Sequence, residues 1–267
     1  VPFATSNGIT LSYQSGGTGD PVLLIMGSSA AGHVWAMHQT PALQQAGYRT
    51  VTFDNRGVSP SSVPPGDYTL DELAADTQGL IEALDLGPCH IVGTSLGAIV
   101  TQAVAIRWPH LVRSAVLIAT RARTDVLRAR MSLADKALRE SGLVLPASYR
   151  AVRTALEMLS PVTLNDEETI AGWIDIMELS GGQDVAIGQE AVIDSLGDLR
   201  PALAGITAPC RAIAFTDDLI CPPHLVAETA EAIPGCDLVQ IDGCGHLGYL
   251  ERPDEVNAAI LEFLQKH

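Results

Sequence analysis

The chain has 267 residues, 47% of them apolar and 18% charged, with a formal net charge of −15. That length and apolar share suffice for one large α/β domain and exclude a disordered chain, while no run approaches the roughly 20 consecutive apolar residues that span a bilayer. The negative field would repel nucleic acid and anionic membrane surfaces, so neither is expected as a partner.

Taken in chain order, an edge strand at 3–5 pairs with a strand at 9–15 through the turn Asn7-Gly8. A strand at 22–26, a helix at 35–46, a strand at 50–53 and a helix at 70–86 follow. Next come a strand at 89–93, a helix at 96–108 closed by Pro109, and a strand at 115–119. From 121 to 200 no strand is expected, only amphipathic segments separated by Gly142, Pro146, Pro161, Gly172 and the Gly181-Gly182 pair. The alternation resumes with a strand at 211–215, a helix at 222–232, a strand at 237–241 and a helix at 253–265. Such alternation builds a mostly parallel sheet covered on both faces. Residues 1–120 and 201–267 therefore read as one core domain, and 121–200 as a helical cap over the C-terminal edge of the sheet, where open parallel sheets bind ligands.

The five cysteines, at 89, 210, 221, 236 and 244, have neither the spacing of a zinc site nor that of a disulfide framework. A reducing compartment follows, so the expectation is a cytoplasmic protein with no metal site and no cofactor. The start VPFATSNGIT lacks the pattern of a secretory leader and an initiating methionine, which reads as a trimmed N-terminus. Eight of the 16 basic residues fall between Arg121 and Arg153, a cluster read first as a solvated helix face. The 14 arginines against two lysines, with much Ala and Gly, resemble bacterial proteins from GC-rich genomes and point toward specialised metabolism.

The segment CHIVGTSLG, 89–97, joins an apolar strand to a helix through Gly93-Thr94-Ser95-Leu96-Gly97. A sharp Gly-x-Ser-x-Gly turn displays the serine hydroxyl at its tip, and it leaves the Leu96 N–H free at a helix N-terminus to stabilise a developing oxyanion. Ile99, Val100, Ala103, Val104 and Ile106 follow at helical spacing. A serine needs a base and an orienting acid. Asp218 lies at the end of the 211–215 strand, four residues before Pro222, and His246 lies in a Gly-rich loop after the last strand. Asp217 and Asp242 are the alternative acids, and the other histidines (33, 38, 90, 110, 224 and 267) read as core or surface, with His33 alone near the site.

With Ser95, Asp218 and His246 in that order, the chain resembles the α/β-hydrolase-fold serine hydrolases over essentially its whole length. Asp54-Asn55-Arg56-Gly57 resembles the family's Asp-x-Arg-Gly turn, and Gly245-His246 with Glu251 and Pro253 its histidine segment. The resemblance implies eight strands, the second reversed, an inserted cap, and a second oxyanion donor in the loop after the third strand. That loop reads Met26-Gly27-Ser28-Ser29, with Met26 in place of the common His, and Ser28 N–H would be the donor.

The reaction expected is hydrolysis of a carboxylic ester of a small, largely apolar molecule, a methyl ester or lactone, through an acyl-enzyme. Trp35, Met131, Leu133, Leu143, Leu145, Met158, Trp173 and Met177 are the candidate pocket residues beneath the cap. Three other readings stay open. One is cofactor-free perhydrolysis, as in proteins once called haloperoxidases; another is acyl transfer, cyclisation or thioester hydrolysis on an acidic acyl carrier steered by the basic segment; the third is ligand binding without turnover. Oligomeric state is not legible.

Overall fold

The computed structural model describes residues 1–180 and 186–267, so the Gly181-Gly182 breaker lies outside the described residues. Its strands are β1 (Phe3–Ser6), β2 (Ile9–Gly16), β3 (Pro21–Ile25), β4 (Arg49–Phe53), β5 (Cys89–Thr94), β6 (Val112–Ile118), β7 (Cys210–Phe215) and β8 (Asp237–Ile241). They form one sheet in the order β1-β2-β4-β3-β5-β6-β7-β8. β2 runs antiparallel to both β1 and β4, and all other pairings are parallel.

The helices are α1 (Gln39–Gln45), α2 (Leu70–Ala83), α3 (Leu96–Arg107), α4 (Val126–Glu140), α5 (Ala147–Met158), α6 (Pro161–Leu164), α7 (Glu167–Ser180), α8 (Ile187–Asp194), α9 (Arg200–Leu203), α10 (Pro223–Ala232), α11 (Gly248–Glu251) and α12 (Pro253–Leu264). Side chains alternate across a strand, so a central strand supplies two cores at once. Leu23 and Ile25 of β3, with Ile91 of β5 and Leu117 of β6, pack under α2 and α3. Val22 and Leu24, with Val92, Val116 and Ile118, pack under α1 and α12. Burial on both faces explains why these strands read as apolar runs. α2 starts at a capping box in which Thr69 and Glu72 satisfy each other's backbone N–H.

Two differences from the sequence reading have local causes. The helix expected at 35–46 is a 3-10 turn, Gly32–Met37, followed by α1, because Pro41 has no N–H to donate and fits only in a first helical turn. A one-turn helix, α11, also intervenes before α12, and its four residues are too short to leave a periodic signal. Helices α4 to α9 lie between β6 and β7, with α5 and α7 packed on each other. No helix among the described residues is long and apolar enough to cross a membrane.

Candidate active site

β5 ends at Thr94 and α3 begins at Leu96, so the whole reversal rests on Ser95, whose φ of 53° and ψ of −120° lie outside the ordinary regions for a residue with a side chain. A non-glycine residue at positive φ costs about 1–3 kcal/mol. Its surroundings hold it there: Ser95 N–H donates to Ile118 O at 2.9 Å, and Ser95 O accepts from Ala98 and Ile99 N–H at 3.0 and 3.2 Å. Gly93 and Gly97 are demanded by close approach. A Cβ on Gly97 would stand 2.2 Å from Ile25 O, and one on Gly93 would stand 2.4 Å from Gly97 O.

His246, 5% exposed, reaches the elbow from the loop after β8. Its Nε2 lies 3.0 Å from Ser95 Oγ and its Nδ1 lies 2.8 Å from Asp218 Oδ2. The other carboxylate oxygen, Asp218 Oδ1, accepts the N–H groups of Ile220 at 2.7 Å and Cys221 at 2.8 Å. Backbone donors thus occupy one oxygen and leave the second for the imidazole. A carboxylate on Nδ1 holds the proton there and turns the Nε2 lone pair toward the serine. Asp217 spends its N–H on Cys244 O, and neither its carboxylate nor that of Asp242 bonds the imidazole.

The acid loop is braced from behind by residues read in the sequence as a solvated basic face. Arg121 is only 5% exposed and donates from Nη1 to Ile220 O at 3.2 Å, while Arg128 donates to Leu219 O and pairs with Asp125 at 3.0 Å. Arg123 binds Glu228 through two nitrogens, each at 2.6 Å. Arg121 is an internal strut, a correction that its burial forces, since a desolvated guanidinium must find acceptors. Arg123 and Arg128 are half-buried, whereas Arg130, Lys136, Arg139 and Arg153 are exposed, as a solvated face requires.

Glu251 has the corresponding role in the histidine loop. Its Oε2 accepts Gly245 N–H at 2.7 Å, and its Oε1 accepts Ser160 N–H, Ser160 Oγ–H and Thr163 Oγ1–H at 3.0, 2.8 and 2.5 Å. It therefore ties the residue before His246 to the junction of α5 and α6. Leu247 N–H adds a bond to Met158 O at 3.1 Å.

The loop after β3 faces the elbow. Asp54 Oδ1 accepts Gly32 N–H at 2.7 Å and Asn55 Nδ2 donates to Met26 O at 3.2 Å, so the Asp-x-Arg-Gly turn braces this loop from beneath. Arg56 is held in turn by Asp76 and Glu72 at 2.5 and 2.8 Å. Ser28 and Leu96 N–H form no hydrogen bond to any described residue. From α8, Gln189 contacts Ser29 and Glu190 lies 3.4 Å from Ser28 Oγ; burial pushes the Glu190 carboxyl above its ordinary range, with Arg139 opposing. A cavity of about 970 Å³ is lined by Ser29, His33, Asp54, Tyr68 and neighbours, and Ser95 and His246 are not among its lining residues.

The pocket expectation divides. Trp35 is fully buried in the core beneath β3, its ring 5.4 Å from that of Tyr249, and forms no pocket wall. Leu143 is 63% exposed, and Leu133, also largely exposed, lines a cleft of about 390 Å³ with Lys136 and Ile193 that includes neither Ser95 nor His246. Met131, Leu145, Met158, Trp173 and Met177 are half-buried within the insertion. A lone aromatic or Leu gives the same signal in a core, a wall or a surface, so these positions were not separable by residue type. Sequence reading also missed Gln189, the bonds of Ser160 and Thr163 to Glu251, and the bonds from Arg121 and Arg128 to the acid loop, because these join segments distant in the chain.

Comparison with known proteins agrees with this architecture. Residues 22–259 match the model of the alpha/beta hydrolase family, and the chain belongs to that family. It is 42% identical over 257 residues, 96% of this chain and 97% of the relative, to a Mycobacterium tuberculosis protein whose name calls it a non-heme bromoperoxidase, BpoC. The crystal structure of that relative superposes with a TM-score of 0.91 at 41% identity, covering 96% of each chain. The chain is also 26% identical over 267 residues to 3-oxoadipate enol-lactonase 2 of Acinetobacter baylyi, covering 96% of this chain and 93% of that one. A thermophilic esterase from Thermogutta terrifontis superposes with a TM-score of 0.83 at 28% identity, covering 99% and 98% of the two chains.

Proposed function

We propose that the chain is a serine hydrolase that opens a carboxylic ester, a methyl ester or lactone of a small, largely apolar molecule, through an acyl-enzyme. The observation that carries this reading is the continuous hydrogen-bonded line Ser95 Oγ, His246 Nε2, His246 Nδ1, Asp218 Oδ2, with spacings of 3.0 and 2.8 Å. Ser95 Oγ attacks the acyl carbon while His246 Nε2 takes its proton; Asp218 stabilises the resulting imidazolium. The tetrahedral oxyanion is received by Ser28 and Leu96 N–H, the latter at the start of α3 where the peptide dipoles align. His246 then protonates the leaving alkoxide. Water attacks the acyl-enzyme with the same base, releasing the acid and restoring Ser95. Helices α4 to α8 act as the cap over this site, and every step uses the chain's own groups and water.

A fluorophosphonate probe followed by peptide mapping tests the nucleophile. Labelling at Ser95, and a fall of at least about 10⁴-fold in p-nitrophenyl acetate turnover for Ser95→Ala, are expected. Undiminished turnover in that variant would falsify the assignment.

A second reading, perhydrolysis, is favoured by the bromoperoxidase name of the 42% identical relative. In it, hydrogen peroxide replaces water as the acyl acceptor, and acetic acid and hydrogen peroxide give peracetic acid and water. Peracid formation that exceeds ester hydrolysis would select this reading; a panel of methyl esters, lactones and thioesters selects within the first.

A further inference from the structure

Gln189 stands on α8, outside the Ser-His-Asp line, and is completely buried. Both ends of its amide are used: Oε1 accepts Ser29 N–H at 2.8 Å and Nε2 donates to Arg56 O at 2.7 Å. It therefore spans the loop after β3 and the Asp-x-Arg-Gly turn. Ser29 itself is a non-glycine residue at φ 59°, and its Oγ accepts Ala186 N–H at 3.1 Å.

The peptide that carries Ser28 N–H has one constraint of its own, a long 3.4 Å bond from Ala30 N–H to Gly27 O. Its direction depends on the peptides on either side. Asn55 fixes the one before, through Met26 O, and Gln189 fixes the one after, through Ser29 N–H. Removing the second anchor frees Ser29 to relax from the left-handed region, and Ser28 N–H swings with it. A donor aimed at a transition-state oxygen loses its effect when its direction drifts, while ground-state binding elsewhere is untouched.

We infer that Gln189 is a positioning residue for the oxyanion hole, acting through Ser29 to aim Ser28 N–H, so that the hole is complete only while α8 is seated against this loop. The inference rests on the ester-hydrolase reading. An acceptor at position 189 is the essential feature, and the bond to Arg56 O is secondary.

The test compares wild type, Gln189→Met and Gln189→Glu on p-nitrophenyl acetate, with inhibition by phenylboronic acid, which forms a tetrahedral anionic adduct on a reactive serine. Gln189→Met is expected to lower kcat about 10- to 100-fold, with KM changed less than about threefold and the boronate Ki raised by the same factor as kcat falls. Gln189→Glu keeps the acceptor for Ser29 N–H and recovers most of kcat. If Gln189→Met does not fold, Gln189→Asn, whose shorter side chain withdraws the acceptor, is read in its place. An unchanged kcat in the acceptor-less variant, a lower kcat with an unchanged boronate Ki, or a glutamate variant as impaired as methionine overturns the inference alone. A wild-type chain that neither turns over the ester nor is labelled at Ser95 overturns both this inference and the reading beneath it.

Discussion

His90 and His246 carry the same imidazole, and their neighbours assign them opposite tasks. His246 has a carboxylate on one nitrogen and a hydroxyl on the other, with Ser95 itself half-buried and reachable. His90 is sealed inside β5, its Nδ1 2.8 Å from Ser114 Oγ and its ring 5.9 Å edge-on to Tyr48. Desolvation there, with Arg113 nearby, lowers its pKa from 6.5 to about 4. The folded state keeps this imidazole neutral while the unfolded chain protonates it, so the contribution to stability is full above pH 6.5 and is lost as pH falls toward 4. The loss amounts to about 3 kcal/mol at most. Urea unfolding of His90→Asn across this range is expected to show a shallower decline than wild type; parallel curves would refute the assignment. Thiols follow the same rule: burial pushes Cys89, Cys210, Cys236 and Cys244 up to about 12 and Cys221 higher still, so none is a ready thiolate.

At the scale of elements, short helices and loops lock the machinery together more than long helices do. α4 buries no residue fully, yet the four-residue α11 carries Glu251, whose carboxylate gathers two backbone and two hydroxyl donors around the histidine loop. Charge-assisted bonds of this kind are individually worth about 1.5–3 kcal/mol, and losing the charge weakens all four together. Glu251→Gln keeps the shape but turns one acceptor into a donor facing other donors. A melting temperature lower by several degrees, together with reduced turnover, is the expected outcome in differential scanning calorimetry and p-nitrophenyl acetate assays. A variant that matches wild type in both would show that the tie between the histidine loop and the α5–α6 junction is not needed.

For the molecule as a whole, the dominant long-range property is the formal charge of −15. Much of the positive charge that the sequence concentrates at 121–153 is neutralised internally, by Asp125, Glu157 and Glu228 among others. The remaining field opposes the approach of anions and leaves neutral molecules unaffected. Raising ionic strength from about 0.01 to 0.15 M shortens the screening length from about 30 to 8 Å. The kcat/KM for mono-4-nitrophenyl succinate should therefore rise about threefold or more over that range, while that for neutral p-nitrophenyl acetate stays nearly constant. Equal salt responses for the two esters would mean that the field does not reach the site.

Local chemistry alone indicated the class of sheet and the elbow at Ser95, because strand periodicity, glycine spacing and proline stops act within a few residues of themselves. It left three acids open, and the 2.8 Å contact to His246 singles out Asp218. The count of eight strands with the second reversed followed from resemblance to a family, not from periodicity, and the order of the strands in the sheet came only from the structure. Only the tertiary structure decided that Trp35 belongs to the core, that Arg121 and Arg128 brace the acid loop, that Gln189 reaches the loop of Ser28, and that Glu251 ties the histidine loop to Ser160 and Thr163. Those contacts join residues up to 160 positions apart. A buried polar group must find its partner wherever the fold supplies one, and the residue types within a short window leave that partner undefined.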